Sequence, residues 1–237
     1  MPLPLQIAAG SVVGRTHSLA GRNNQDAFAW RTGARGLVAA VADGCSSGAF
    51  TELGARVGVE LFVQRVWLGL EKDPPRPADL LARAAEEVVA HLDQLTHLMG
   101  GARAERVESC FLFTLVGAFL LPEEGWLFSV GDGVVGINGQ LRSLGPFAHN
   151  APPYLGYRLL GARVPLRIEP LPLNGLQSLL LGTDGVLDLP DVASLVDDRV
   201  FTNRDMLRRR LTVVSRQTGR LLDDTTLVAI RRAPGEA

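Results

Sequence analysis

The chain has 237 residues, of which 46% are apolar, and a formal net charge of −1 at pH 7. This composition suits a packed core and excludes a disordered chain, and the length fits one domain spanning 1–237, with its core at about 5–232. The near-zero charge excludes a global field that would draw the chain to nucleic acid or to an anionic membrane.

Met1 to Gly10 has no basic region ahead of its apolar residues and does not read as a signal peptide. Leu5 to Val13 reads as a first strand, followed by a polar, glycine-containing segment, Gly14 to Gln25. Asp26 opens a second strand, Ala27 to Arg31, and Gly33 to Gly36 turns the chain into a third, Leu37 to Ala42. The unbroken apolar character of the third strand predicts burial on both faces. After Asp43-Gly44 comes a small-residue loop, Cys45-Ser46-Ser47-Gly48. A helical pattern then runs from Thr51, an expected N-cap, to Leu70, with Leu53, Val57, Leu61, Val63, Val66 and Leu70 on one face. Three prolines between Lys72 and Pro77 break it. A second helix runs from Pro77 or Ala78 to Met99, with proline in the first turn, where helices tolerate it. Two long helices and a short joint predict an antiparallel pair lying on a sheet.

Gly100 to Glu108 reads as a polar connection. Strands follow at Cys110 to Leu121, Trp126 to Val130 and Val134 to Ile137, with a short one after Asn138-Gly139, a type I′ hairpin signal. The Cys110 run is too short to cross a bilayer as a helix, and Thr114 and Gly117 interrupt it. Leu144 to Pro172 is rich in Pro and Gly and reads as a surface flap. Ser178 to Gly182 is a buried strand, Asp191 to Asp197 a short helix, Asn203 to Thr218 a longer one, and Thr225 to Ile230 the last strand; Ala233 to Ala237 is expected to fray. Helices grouped between runs of strands give an α+β class with antiparallel sheets. Cys45 and Cys110 have no metal-ligand spacing and read as reduced thiols of a soluble, cytoplasmic protein.

Three Asp-Gly pairs close apolar runs: Asp43-Gly44, Asp132-Gly133 and Asp184-Gly185. One such pair is ordinarily a turn. A carboxylate at a strand end, followed by a residue that lets the backbone turn sharply, also aims an oxygen ligand into a cleft. Asp26 and Asp223-Asp224 complete the acidic set. Carboxylates without a His or Cys cluster select Mg²⁺ or Mn²⁺ over Zn²⁺.

In order, Asn24-Gln25-Asp26, Ala42-Asp43-Gly44, Gly131-Asp132-Gly133, Thr183-Asp184-Gly185 and Asp223-Asp224-Thr225-Thr226 resemble the boxes of the metal-dependent protein phosphatases, the type 2C Ser/Thr phosphatases. The likeness runs from about Ser11 to Ile230. Asn-Gln-Asp after a His, together with Pro153-Tyr154-Leu155, is similar to a divergent bacterial branch. The resemblance implies a four-layer α-β-β-α sandwich, two antiparallel sheets flanked by helix pairs. It implies two divalent ions, with a third, weaker site. Asp43 would bridge the two ions, with Gly44 contributing its carbonyl. Asp26 would serve one, mostly through water, and Asp184 and Asp223 the other. Asp132 with Asp184 would hold the third, and Asp224 would be the reserve for Asp223. Ions about 4 Å apart would hold a hydroxide for in-line attack on a phosphoserine or phosphothreonine of a protein, the product of an opposing Ser/Thr kinase.

Three positions depart from the family pattern. Gln25 stands where Glu is common and carries no charge. Gly21 stands where a phosphate-binding Arg is usual; Arg22, Arg15 or His17 could take that contact, with Arg22 or His17 the expected one. Cys45 follows Asp43-Gly44 in place of a His, which leaves His17 or a water to protonate the leaving group. These departures keep two alternatives open, a weakly active or inactive regulatory binding domain and a small-molecule phosphoesterase. The ordinary readings elsewhere are His17 as a loop hydrogen-bonder, Arg208-Arg209-Arg210 as a solvated helix face, and Trp67 and Trp126 as core packing. No base is evident beside Ser46 or Ser47.

Overall fold

The computed structural model describes residues 5–72, 76–148 and 151–233. The proline joint at 73–75, His149 and Asn150, and the termini at 1–4 and 234–237 lie outside the described residues.

Period-two alternation sorts the strand side chains into three apolar layers. In β3 (Gly36–Asp43), Leu37, Ala39 and Val41 pack with Val116, Ala118, Leu181, Val228 and Ile230, the core between two sheets. Val38, Ala40 and Ala42 point the other way, toward Phe62, Val66, Leu81 and Val88 of the helices. All six are buried, as the unbroken apolar run predicts.

One sheet pairs β2 (Asp26–Gly33), β3, β4 (Leu115–Leu120), β5 (Gly125–Val130) and β8 (Arg167–Pro170) in that order. The other runs β1 (Leu5–Val12), β10 (Thr225–Arg232), β9 (Ser178–Gly182), β6 (Val134–Ile137) and β7 (Gln140–Ser143). All the pairings are antiparallel. The hairpin between β6 and β7 turns on Asn138 and Gly139 with φ of 50° and 83°, the left-handed pair that a type I′ turn requires.

Outside the first sheet lie α2 (Thr51–Lys72) and α3 (Pro77–Met99), the latter with proline at its first turn. Outside the second lie α6 (Met206–Thr218) and the five-residue α5 (Asp198–Thr202), over a layer that includes Ala8, Leu180, Leu207, Leu211 and Leu227. This is the expected four-layer sandwich, with one helical layer much lighter than the other.

The structure corrects several local expectations. The buried stripe of α2 is Ala55, Val59, Phe62, Val63, Val66 and Leu70; Leu53 is exposed, and Val57 and Leu61 are half-buried. Gly54 and Gly58 lie on this face, against the segment that leads to β4: a Cβ at Gly58 would stand 2.3 Å from the Phe113 ring, and one at Gly54 2.5 Å from the Cys110 carbonyl oxygen. Thr51 is no N-cap: it lies inside the first turn and its hydroxyl donates to the Cys45 carbonyl. The polar segment Gly14 to Gln25 contains a short helix, α1 (Arg15–Leu19). The connection after Gly100 is a helix, α4 (Arg103–Cys110), which buries Val107 and Cys110 and so delays the next strand to Leu115. The segment read as a surface flap supplies a 3₁₀ turn, Leu155–Leu160, and edge strand β8, where Pro170 costs no central ladder bond. Arg210 is no solvated side chain: it lies 2.8 Å from Asp197. Trp67 and Trp126 are half-buried against the helix-side core. Among the described residues no helix is long and apolar enough to cross a membrane.

Candidate active site

The inter-sheet core ends in oxygen. On β3 the inward series Leu37, Ala39, Val41 continues to Asp43, and on β2 Trp30 and Phe28 lead back to Asp26. The antiparallel register sets Asp26 directly opposite Asp43. On the facing sheet Leu179 and Leu181 lead to Thr183, whose hydroxyl donates to Asp26 Oδ2 at 2.8 Å and joins the two sheets. Asp184 follows at the start of a 3₁₀ turn, Asp184–Asp188. Asp132 sits between Gly131 and Gly133, both at positive φ. The Thr114 N–H donates to the Asp43 carbonyl at 2.8 Å and pins that strand end.

The carboxylates repel one another. Burial, then Asp224, raises the Asp26 pKa well above the ordinary carboxylate value. Asp43 is raised likewise by burial and by Asp26, Asp184, Asp223 and Asp132. Burial and Asp223 raise Asp184, and Asp132 is pushed up to about 6 by burial, with Asp184 next. Thus Asp26, Asp43, Asp132, Asp184 and Asp223 converge on one end of the sandwich. Among the described residues, Asp26 Oδ1, Asp184 Oδ1 and Gln25 Oε1 are buried without a hydrogen-bond partner. Buried acceptors without donors, in a set of hard oxygen atoms, fit Mg²⁺ or Mn²⁺.

Asp223 and Asp224 have different surroundings. Asp223 is exposed and is an electrostatic neighbour of Asp43 and Asp184. Asp224 is buried and accepts from Gly14 N at 2.7 Å, Gln25 N at 2.6 Å and His17 Nδ1 at 2.9 Å. His17 is 5% exposed, the one buried side chain of the short helix α1, whose other residues face solvent. His17, Asp223 and Asp224 offer atoms within 4.8 Å of one another, but His17 and Asp224 are already bonded to each other. The Gln25 amide donates to the Gly48 carbonyl, so Gln25 braces the loop after Gly44.

Arg22 reaches the same loop: its guanidinium donates to the carbonyls of Ser46 and Gly48. Gly21, the position of the usual family Arg, is at φ +64° with open space around it. Gly44 is confined, since a Cβ would stand 2.8 Å from the Gln25 carbonyl oxygen. Cys45 is half-buried, with Sγ 3.1 Å from Ser47 Oγ. Tyr154 packs on the same core cluster as Cys45, and burial first, then Cys45, Asp43 and Asp132, raise its pKa above the ordinary phenol value. Sequence reasoning missed Thr183 and Tyr154 as parts of the site. The signal for Tyr154 was the apolar i, i+4 pair Leu155 and Leu159, which marks a docked turn.

A sandwich of two antiparallel sheets with carboxylates gathered at their common end defines a hydrolase of the protein serine/threonine phosphatase class. The chain belongs to the protein phosphatase 2C family, whose model matches residues 13–225. No curated protein matches it. Among solved structures it is similar to the serine/threonine phosphatase Stp1 of Staphylococcus aureus, with TM-score 0.67 and 15% identity over 99% of this chain and 98% of that one. It is also similar to PppA, described as a key regulatory component of T6SS in Pseudomonas aeruginosa, with TM-score 0.63 and 19% identity over 97% and 98% of the two chains. The catalytic domain of the serine/threonine protein phosphatase PstP, in complex with two manganese ions, gives TM-score 0.54 and 15% identity over 97% and 99%.

Proposed function

We propose that this phosphatase hydrolyses phosphoserine and phosphothreonine in protein substrates made by an opposing Ser/Thr kinase, using two Mn²⁺ or Mg²⁺ ions. Asp26, Asp43, the Gly44 carbonyl, Asp184 and Asp223 would hold the two ions, and Asp132 with Asp184 a third. When bound, such ions lower the pKa of water and offset charge on phosphoryl oxygens. The observation that carries this reading is the convergence of five carboxylates, with buried oxygens of Asp26 and Asp184 lacking partners. The manganese pair in PstP supports it. Free Cys45 and Cys110 fit a cytoplasmic setting.

The chain's own side chains supply placement. The β2–β3 ladder fixes Asp26 against Asp43, and Thr183 orients the Asp26 carboxylate. Asp224 binds the start of β2 to the start of β10. The buried His17 serves that anchor rather than reaching a leaving group. Arg22 holds the loop after Gly44 through two carbonyls and keeps its other guanidinium donors for a phosphoryl oxygen.

The direct test is hydrolysis of a phosphothreonine peptide with Mn²⁺, with Mg²⁺ and with chelator, beside Asp43→Asn. Metal-dependent phosphate release, lost in the variant, is expected. A much faster rate on small phosphoesters than on phosphopeptides would remove the protein substrate. A second reading rests on Gly21 and on Arg22 being tied to carbonyls: a weakly active regulatory domain. That reading predicts Mn²⁺ binding without turnover.

A further inference from the structure

The segment after residue 150 is a fixed wall of the acidic cleft. Leu155 is fully buried, and its N–H donates to the Phe113 carbonyl at 3.1 Å. Gly156 lies so close to Phe111 that a Cβ would stand 2.0 Å from the Phe111 carbonyl oxygen. On the other side, the Pro153 carbonyl oxygen lies 3.0 Å from where a Cβ on Gly131 would be. Residue 154 is therefore clamped between the loop that leads to β4 and the turn that carries Asp132. Its ring packs on Tyr157, with centroids 5.7 Å apart. Cys45, the residue after Gly44, packs on the same core cluster as Tyr154, its N–H donating to Leu112 next to the Phe113 that holds Leu155. Gly44 itself is bridged to Phe113, and burial, then Cys45, Asp43 and Asp132, raise the Tyr154 pKa.

A phosphoryl group entering this cleft brings oxygens that need donors. The leading electrostatic neighbours of Asp26, Asp43, Asp132 and Asp184 are carboxylates, which can only accept when ionised. Gly21 supplies no cation, and Arg22, the nearby one, already gives two of its donors to the Ser46 and Gly48 carbonyls. A phenol held rigidly beside Asp43 and Asp132 adds a donor without adding charge.

We propose that Tyr154 is a phosphoryl-binding residue, its hydroxyl donating a hydrogen bond to a non-bridging oxygen of the substrate phosphate. This rests on reading the site as a phosphoryl-hydrolysing centre. The fixed backbone on both sides of Tyr154 makes the contact one of position, with little ordering left to occur on binding.

The test compares wild type, Tyr154→Phe and Tyr157→Phe in Mn²⁺. The readouts are kcat and KM on a phosphothreonine peptide, calorimetric affinity for inorganic phosphate, and the thermal midpoint. Tyr154→Phe should raise KM and weaken phosphate binding about 10-fold or more, the loss of a hydrogen bond to a charged acceptor. Its thermal midpoint should not change, and Tyr157→Phe should match wild type. Tyr154→Phe with KM and phosphate affinity within about twofold of an active wild type would overturn the proposal alone. A wild type that neither hydrolyses the peptide nor binds phosphate would overturn the phosphatase reading and this proposal with it. Phosphate binding without turnover would leave the Tyr154 contact to be decided by the calorimetric comparison.

Discussion

Asp224 Oδ2 sits 2.9 Å from His17 Nδ1, and the same buried carboxylate accepts backbone N–H bonds from Gly14 and Gln25. One side chain at the start of β10 thereby fixes α1 and the residue before Asp26. Asp224→Ala should cost about 2–4 kcal/mol, because it strands buried donors that water can only partly serve. Asp224→Asn keeps an acceptor and should cost about 1 kcal/mol. Urea unfolding of the two variants measures both. Equal losses would mean that the carboxylate does not organise this corner.

The metal-free protein should lose stability as pH rises. Asp26, Asp43, Asp132 and Asp184 all have folded pKa values raised above the unfolded value of about 3.9. Their stabilising contribution is complete below the unfolded value and is lost as pH climbs through the folded ones, about 6 for Asp132. With chelator present, the thermal midpoint should therefore be several degrees higher near pH 4.5 than near pH 7.5, and Asp43→Asn should flatten the slope. Mn²⁺ at 100 times its Kd should restore about 2.7 kcal/mol at the higher pH. A profile that rises toward neutral pH in the chelated protein would contradict the mutual repulsion of these groups.

Arg22 braces the loop that follows Gly44. Arg22→Ala frees the carbonyls of Ser46 and Gly48 and should cost about 1 kcal/mol, a modest figure because the side chain is partly solvated. Arg22→Lys should recover little, since a single ammonium cannot span two carbonyls as a planar fork does. Hydrogen exchange at Ser46 to Gly48 is the local readout, and unchanged protection in Arg22→Ala would show that the fork does not hold the loop.

Gly156 is required by space rather than by torsion. Its Cβ position falls on the Phe111 carbonyl, so Gly156→Ala must push the 3₁₀ turn away and should cost about 1–3 kcal/mol. Because Tyr154 rides on this turn, KM should rise as well. Chemical denaturation with steady-state kinetics on the soluble variant checks both. An unchanged KM would detach the turn from the cleft.

What the sequence determined was local. Unbroken apolar character put Leu37 to Ala42 inside on both faces, Pro77 opened a helix, and Asn138-Gly139 made a hairpin, because alternation, proline and left-handed torsions act within a few residues. The five acidic boxes stood out because each ends a strand or opens one. Tertiary structure decided the rest. Two consecutive aspartates differ only in the direction they face, and the register of β10 made Asp224 an anchor and left Asp223 in the open. The apolar count for α2 ignored Gly54 and Gly58, yet the buried face includes both, packed against Cys110, Phe111 and Phe113. His17 took its place from Asp224, and Tyr154 from the contacts of its neighbours Pro153, Leu155 and Gly156 with Gly131, Phe113 and Phe111, far away in the chain. Such contacts leave no periodicity to read, since they exist only once non-local pairing has brought the segments together.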